Sequence, residues 1–234
     1  MMQTTVLTGR FRTPNSEKPS VFCVRATTSN QMVSGRRLWT SQFQKAGLID
    51  DSRVSSREAE SLSIIGKTLP EQWTSVSINA YQAGSRVPKG VEDRSTGKAT
   101  SQSRFDGVCG TVTLLVPKRT DLTVGKITRL AIDSSQQAQS GSPIAYRCVF
   151  LELTSFLYQT AVEYGLTDLE AIVHPRHAKL YRRVFNAKPI GKPFDCEAVA
   201  GAPAQLMRAD IRDPKLFHPR LRECYVERSS QRAA

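Results

Sequence analysis

The sequence predicts one α/β (α+β) domain in which helices flank a single mixed β-sheet. Two patterns support this fold class. Short segments with apolar residues at every second position predict strands, and longer segments with an apolar stripe at helical spacing predict helices. They follow one another in the order strand, helix, short helix, three strands, helix, strand, helix and two strands. With 234 residues, the chain is long enough to bury one substantial core.

The predicted elements of the first half begin with a strand at 20–27. A helix follows from Ser29 and ends at Gly47, a residue type that often terminates helices. A shorter helix is expected at 55–67, where serine side chains can cap the first turn. The next three strands are expected at 73–81, 105–117 and 125–133.

The second half is predicted to contain two helices and three strands. Proline suits a first helical turn, so the long helix is expected to start near Pro143 and to end at Gly165. For the same reason Pro175 is expected to open the last helix, which runs to about Asn186. The strands are expected at 167–174 and, as a pair joined near Gly201, within 188–211.

We expect the folded domain to span 19–212, between a flexible N-terminal segment at 1–18 and a basic C-terminal tail at 213–234. Residues 83–104 lack apolar periodicity and are rich in glycine, serine and charge, which predicts a mobile surface loop. No run of eighteen uncharged apolar residues is present, so no transmembrane segment is expected. The five cysteines are scattered without a C-x-x-C motif, which favours reduced thiols in a cytoplasmic protein.

The net charge of +12 is concentrated at the two ends of the chain. Residues 1–40 contain six basic residues and one acidic residue, and residues 171–234 contain thirteen and six. The residues between them contain equal numbers of each sign. A basic region favours an acidic partner, such as nucleic acid, anionic lipid, an acidic protein or a phosphorylated ligand.

The stretch IVHPRHAKLYRRVF, residues 172–185, combines two histidines, four basic residues and a tyrosine. His174 and His177 flank Pro175, which does not reproduce the i, i+4 spacing of a helical zinc site, and no third ligand is near in sequence. We therefore expect no metal, and we expect local hydrogen bonds to satisfy both rings. Nucleic-acid binding is disfavoured because interleaved aromatic residues and a recognisable binding module are absent.

Tyr181 lies on the apolar stripe of the helix predicted after Pro175. It is either a core residue whose hydroxyl reaches solvent or a proton donor to a leaving group at the opening between strand and helix. Periodicity alone favours the core interpretation and leaves both open.

Four segments, taken in chain order, match the pattern of a known family. The segment at 167–191 follows V-x-P-x-H-x-x-F/L-Y-x-R and then I-G. Its matching residues are Val173, Pro175, His177, Leu180, Tyr181, Arg183, Ile190 and Gly191. FCVRATTSNQMVSGRRLWTSQFQKAGLI, GVCGTVTLL and KITRLAID match the opening strand and helix and two later strands. Over roughly 20–211, with a gap at the polar loop, the chain resembles the GNAT superfamily (GCN5-related N-acyltransferases). It is most similar to the N-acyl amino acid synthases and, more distantly, to the acyl-homoserine-lactone synthases.

The resemblance implies a mostly antiparallel sheet that splays between its fourth and fifth strands, here 125–133 and 167–174, so that a thioester enters between them. Tyr181 matches the family's proton donor to the leaving thiolate, and His174 either relays a proton or caps its own strand. The resemblance also implies that five residues contact substrate: Lys126, Ile127, Thr128, Arg129 and Leu130. A backbone N–H near Ile127–Leu130 would stabilise the oxyanion. Arg129 is alternatively a structural ion-pair partner. Leu151, Phe156 and Leu157 form either an acyl tunnel or plain core.

The chain departs from the family pattern at three places. The loop SSQQAQSGSP lacks the phosphate-loop signature, although Gly141 and the helix start are able to hold a phosphate. Lys126 stands where an acidic residue is frequent, and Phe185–Ala187 replaces a Gly-Phe pair. Arg176, Lys179 and Arg183 form a basic surface that suits an acidic carrier protein.

The resemblance implies an N-acyltransferase. It would move a long-chain acyl group from acyl carrier protein or acyl-CoA, the thioester co-substrate, to the amine of an amino acid or similar small acceptor. No tightly bound cofactor is expected. The alternatives are a catalytically silent GNAT-fold binding module and a nucleic-acid-binding protein.

Overall fold

A mixed β-sheet is the frame of the computed structural model, which describes residues 9–10, 21–49, 72–82, 107–133 and 146–222. The strands are β1 (Gly9–Arg10), β2 (Val21–Arg25), β3 (Trp73–Gln82), β4 (Val108–Pro117), β5 (Val124–Ile132), β6 (Asp168–Val173), β7 (Lys188–Cys196) and β8 (Ala202–Asp210). The helices are α1 (Ser29–Lys45), α2 (Tyr146–Glu163) and α3 (Ala178–Phe185). The eight strands lie in the order β1-β2-β3-β4-β5-β6-β8-β7.

These elements confirm the predicted fold class and the predicted strands from 20–27 to 188–211. Within the N-terminal segment that was expected to be flexible, Gly9–Arg10 pairs with β2 as a short edge strand. The short helix expected at 55–67, the loop expected at 83–104 and the first residues of the long helix lie outside the described residues.

The sheet opens between β5 and β6, its only parallel neighbours among the described strands. Their pairing begins at Val124 and Asp168 and stops at Ile127 and Ala171. Both strands continue beyond that point, so a gap forms between their carboxyl ends. The splay predicted for the family's fourth and fifth strands is therefore present, and the short β1 shifts the strand numbers by one.

A bulge in β5 lies beside this gap. The register of β4 with β5 passes from Thr113 opposite Thr128 to Thr111 opposite Ala131, so two residues of β5 face one residue of β4. Arg129, within the bulge, has a φ of 55°, a left-handed conformation that is uncommon for a residue with a side chain. A bulge bends a strand and redirects its side chains, which here turns β5 away from β6.

Helix α1 packs on one face of the sheet and is held close to it. Thr28 and Gln31 form a capping box at its start. At Gly35 the helix comes so near β3 that a Cβ atom would lie 2.5 Å from Oδ1 of Asn79. Asn79 is fully buried and donates a hydrogen bond of 2.7 Å to the carbonyl of Gln31. This contact sets the position of the helix end that carries Trp39 and Phe43.

Helix α3 does not begin at Pro175 as predicted. Residues Pro175–His177 form a 3₁₀ turn, and α-helical geometry starts at Ala178. His174 explains the turn, because its side chain accepts a hydrogen bond from the backbone N–H of Arg176 and so caps the turn. The helix ends at Asn186, which adopts the left-handed conformation common at helix ends.

The C-terminal residues after 212 were expected to form a basic tail, and their first part instead belongs to the core. Phe217 and Leu221 are buried, and the ring of Phe217 packs edge-on against Tyr158 and Phe185. The folded domain therefore extends at least to 222. Burial of two large apolar side chains offsets the entropy of ordering this segment.

Candidate active site

A cavity of about 410 Å³ occupies the gap where β5 and β6 separate. Its walls come from the end of α1, the bulge of β5, the start of α2, the junction from β6 to α3, and the turn between β7 and β8. The residues that line the cavity on these elements include Trp39, Phe43, Ile127, Thr128, Arg129, Leu130, Tyr146, Phe150, His174, Arg176, His177 and Tyr181. A cavity thus lies where the sheet splays, between the strands that the family resemblance implied would separate.

The bulged part of β5 forms one wall. Ile127, Thr128, Arg129 and Leu130, all expected to contact substrate, line the cavity. Because pairing with β6 stops at Ile127, the backbone of the next residues borders the cavity instead of a neighbouring strand.

Arg129 lies against an aromatic ring of α1. Its guanidinium carbon is 5.3 Å from the ring centroid of Trp39, a cation–π geometry. Burial, and next the nearby Arg36 cation, lower the pKa of Arg129 from its usual value. Arg129 therefore brings a positive charge to this wall of the cavity, with the cation of Arg36 close enough to lower its pKa.

Lys126 is not among the residues that line the cavity. Its ammonium lies 4.9 Å from the ring centroid of Trp73, and its neighbours in register are Leu115 and Glu170. The family resemblance grouped Lys126 with Arg129 as candidate substrate contacts, but only Arg129, which lies in the bulge, lines the cavity.

Tyr181 is buried in the wall opposite the bulge, with 7% of its surface exposed. Its ring packs edge-on against Phe150, with centroids 6.2 Å apart. Burial, and next the neighbouring Tyr146, raise the pKa of Tyr181 well above its usual value. The phenol is therefore protonated at neutral pH and available as a hydrogen-bond or proton donor.

The two histidines lie beside Tyr181, and both line the cavity. Their ring centroids are 6.3 Å apart at an angle of 78°. Nδ1 of His174 accepts the backbone N–H of Arg176 at 3.2 Å, and Nε2 of His177 accepts the side-chain Nε–H of Arg176 at 3.1 Å. Burial, then Arg176 and then His174 lower the pKa of His177. The expected local hydrogen bonds are present, and both involve Arg176.

Comparison with known proteins supports the same fold. Residues 106–210 match the family model described as "N-acyl amino acid synthase FeeM". The structure is similar to that of FeeM, an N-acyl amino acid synthase from uncultured soil microbes, with a TM-score of 0.58, 13% identity, and coverage of 86% of this chain and 97% of that one.

Two further solved structures share the fold. A putative N-acetyltransferase from Lactobacillus plantarum has a TM-score of 0.51 and 12% identity, and covers 82% of this chain with 99% of its own. The acyl-homoserine-lactone (AHL) synthase LasI has a TM-score of 0.50 and 14% identity, with 82% and 89% covered. A comparison with curated protein sequences gave no match.

The chain therefore has the fold that these three structures share, the GNAT fold. Among the residues that the structure describes, no group of three metal-ligating side chains comes together. No helix among those residues is long and apolar enough to cross a membrane. Of the cysteines that the structure describes, Cys23 and Cys109 are buried thiols whose pKa burial raises, and neither lines the cavity.

The remaining sequence-predicted residues lie at different places in the structure. Arg176 lines the cavity, while Lys179 and Arg183 are exposed on α3. Gly141 lies outside the described residues. The tunnel candidates Leu151, Phe156 and Leu157 belong to the core between α2 and the sheet and do not line the cavity.

Several residues that line the cavity were not predicted from the sequence. Tyr146 and Phe150, stacked with centroids 6.3 Å apart, line the cavity at the start of α2. A third wall is built of small residues around the β7–β8 turn: Cys196, Ala198, Val199, Ala202, Pro203 and Ala204. No motif marks small residues as a wall, and only the pairing of β8 with β6 brings them to the site.

Proposed function

We propose that the protein is an N-acyltransferase that moves an acyl group from a thioester to the amine of an amino acid or a similar small acceptor. The observation that carries this proposal is the cavity at the splayed strands, where the bulged backbone of β5 faces a buried, protonated tyrosine. The family match over 106–210 supports the same chemistry.

The proposed reaction needs two kinds of donor. The amine nitrogen attacks the thioester carbonyl carbon, and the carbonyl oxygen takes a negative charge. When the intermediate collapses, the C–S bond breaks and a thiolate leaves, while the new C–N bond remains and the amine loses a proton to solvent. One group must therefore stabilise an oxyanion, and another must supply a proton to sulfur.

Backbone N–H groups along 127–130 suit the first task. These residues line the cavity, and beyond Ile127 the edge of β5 that faced β6 no longer pairs with it. Donors fixed by a strand need no reorganisation when charge develops, which is why preorganised backbone amides stabilise oxyanions.

Tyr181 suits the second task. Its raised pKa makes it a weaker acid than an exposed tyrosine, which by itself disfavours proton transfer to a thiolate. A thiolate released in the same cavity is also removed from water, which raises its own affinity for a proton. Burial thus raises the pKa of the tyrosine and the pKa of the leaving thiol in the same direction, so Tyr181 remains a suitable proton donor.

The acceptor and donor sides are proposed from charge. Arg129, with Arg36 nearby, would hold the carboxylate of an amino acid acceptor while its amine faces the thioester. Lys179 and Arg183, which are four residues apart and exposed on α3, would contact the acidic surface of an acyl carrier protein. Acyl-CoA is the other thioester that this site would accept.

Incubation of the purified protein with acyl carrier protein thioesters and acyl-CoA of several chain lengths, each with pooled amino acids, tests the proposal. We expect an acylated amino acid, detected by mass spectrometry. Absence of any acylated amine from a folded sample, together with thioester binding by calorimetry, would identify a silent binding module instead.

A further inference from the structure

We infer that Arg176 is a positioning residue that holds His174 and His177 as neutral hydrogen-bond donors at the cavity, so that neither ring is the general base. The inference rests on the proposed function for its catalytic meaning. Its structural content, the identity of the protonated ring nitrogen, does not depend on turnover.

The argument starts from the lone pairs of the two rings. A neutral imidazole has one N–H donor and one acceptor nitrogen. In His174 the acceptor is Nδ1, which receives the backbone N–H of Arg176 at 3.2 Å. The proton of a neutral His174 must therefore lie on Nε2.

His177 has the opposite tautomer. Its Nε2 receives the Nε–H of the Arg176 side chain at 3.1 Å, and a guanidinium can only donate. The proton of a neutral His177 must then lie on Nδ1. One residue thus fixes both rings, through its backbone at His174 and through its side chain at His177.

The surroundings keep His177 neutral. The ring is partly buried, and the cation of Arg176 is in direct contact with it. Both features disfavour a second positive charge on the imidazole, which agrees with its lowered pKa.

The consequence concerns what the rings can offer a substrate. A general base needs a free lone pair, and Arg176 occupies the lone pair of each ring. The remaining group on each ring is an N–H donor, and both rings line the cavity together with Tyr181. Two more donors beside Tyr181 would stabilise negative charge on the oxyanion or the leaving sulfur.

The basic surface predicted from sequence therefore divides into two parts. All three side chains are exposed, but Arg176 lines the cavity and contacts both histidines, whereas Lys179 and Arg183 do not line the cavity.

Nuclear magnetic resonance of protein labelled with ¹⁵N-histidine tests the tautomers directly, because the chain has only three histidines. Long-range ¹H–¹⁵N correlation spectra distinguish a protonated Nδ1 from a protonated Nε2. We expect Nε2–H for His174 and Nδ1–H for His177 in the wild-type protein, assigned with His174→Gln and His177→Asn. Nε2–H or an averaged tautomer at His177 would overturn the inference, whether or not the protein has turnover.

Arg176→Met tests the positioning role. It removes the Nε–H donor but keeps the backbone N–H, so His177 should lose its fixed tautomer while His174 keeps its own. The pKa of His177 should also rise, since the contacting cation is gone. Arg182→Met, which removes an exposed cation from the neighbouring helix α3, is the matched control and should leave both tautomers unchanged. An unchanged His177 in Arg176→Met would contradict the role of Arg176.

Variants of His177 separate a donor from a base in the active enzyme. An asparagine amide places an N–H near the position of Nδ1 but cannot accept a proton at neutral pH. We expect His177→Leu to lower kcat by about 10² and His177→Asn to restore most of that loss, given the usual cost of removing one oxyanion donor. Equal losses in the two variants would indicate a base and would overturn the donor assignment.

Discussion

At the scale of single residues, the site separates groups by the chemistry of their surroundings. Tyr181 is buried, and its raised pKa keeps it protonated. The pKa of His177 is lowered beside the cation of Arg176, which keeps the ring neutral. Arg129 is half-buried against the ring of Trp39. Sequence periodicity located Tyr181 on a buried stripe, and the family pattern predicted its role as the proton donor to the leaving thiolate. Local hydrogen bonds at the two histidines were expected, but Arg176 as their shared donor was not, because this arrangement depends on a 3₁₀ turn that the sequence does not distinguish from an α-helix.

Arg129 gives a residue-scale prediction about the acceptor. Arg129→Met should raise KM for amino acid acceptors by about tenfold to a hundredfold, because a charge-assisted hydrogen bond contributes about 1.5–3 kcal/mol. Steady-state kinetics should show little change in KM for the corresponding amino acid amide, which lacks the carboxylate. Equal increases for acid and amide would indicate that Arg129 does not bind the carboxylate.

At the scale of elements, local sequence patterns predicted the positions of strands and helices. They did not predict the bulge in β5 or the wall that the β7–β8 turn adds to the cavity. The β5 bulge places a non-glycine residue at a positive φ, and alternation alone gives no sign of it. The small residues of the β7–β8 turn reach the cavity through long-range strand pairing, which no local pattern encodes.

Gly35 gives an element-scale prediction. Gly35→Ala gains helix propensity, but its Cβ would overlap Oδ1 of Asn79. We expect a net loss of about 1–2 kcal/mol in the free energy of unfolding, measured by urea denaturation. The loss should shrink in an Asn79→Ala background, where the overlapping atom is gone. A stabilised single variant would contradict the close approach of α1 to β3.

The exposed side of α3 gives a second prediction at the scale of elements. Replacing Lys179 and Arg183 by glutamate should raise KM for acyl carrier protein substrates about tenfold, because reversed charges repel an acidic partner. The effect should weaken in high salt. KM for acyl-CoA should change little, and Lys45→Glu on α1 should affect neither substrate. Equal effects on both thioesters would argue against a carrier-docking role for these residues.

At the scale of the whole molecule, the sheet order explains why distant segments share one site. The splay between β5 and β6 was expected from the family pattern, and it is present. The C-terminal segment was expected outside the domain because it is rich in basic residues. It also contains two apolar residues, Phe217 and Leu221, that pack into the core.

Stability should depend on pH through Glu152, which lies outside the cavity. Burial raises its pKa to about 8, although Arg220 opposes the shift, so the folded protein holds a proton that the unfolded chain releases near pH 4.5. The stability linked to this group is present below pH 4.5 and is lost as the pH rises to about 8. Tm should therefore fall less between pH 5 and 8.5 in Glu152→Gln than in wild type. Parallel Tm curves would contradict a buried, protonated Glu152.

The central claim is that the cavity between β5 and β6 is the catalytic centre of an N-acyltransferase. The most direct measurement is kcat for amide formation by wild type and by Tyr181→Phe, with Tm as the check on folding. Phenylalanine keeps the packing against Phe150 and removes only the hydroxyl. We predict a decrease of about tenfold or more, the gain that a positioned acid usually supplies. An unchanged kcat in the folded variant would contradict this assignment of the active site.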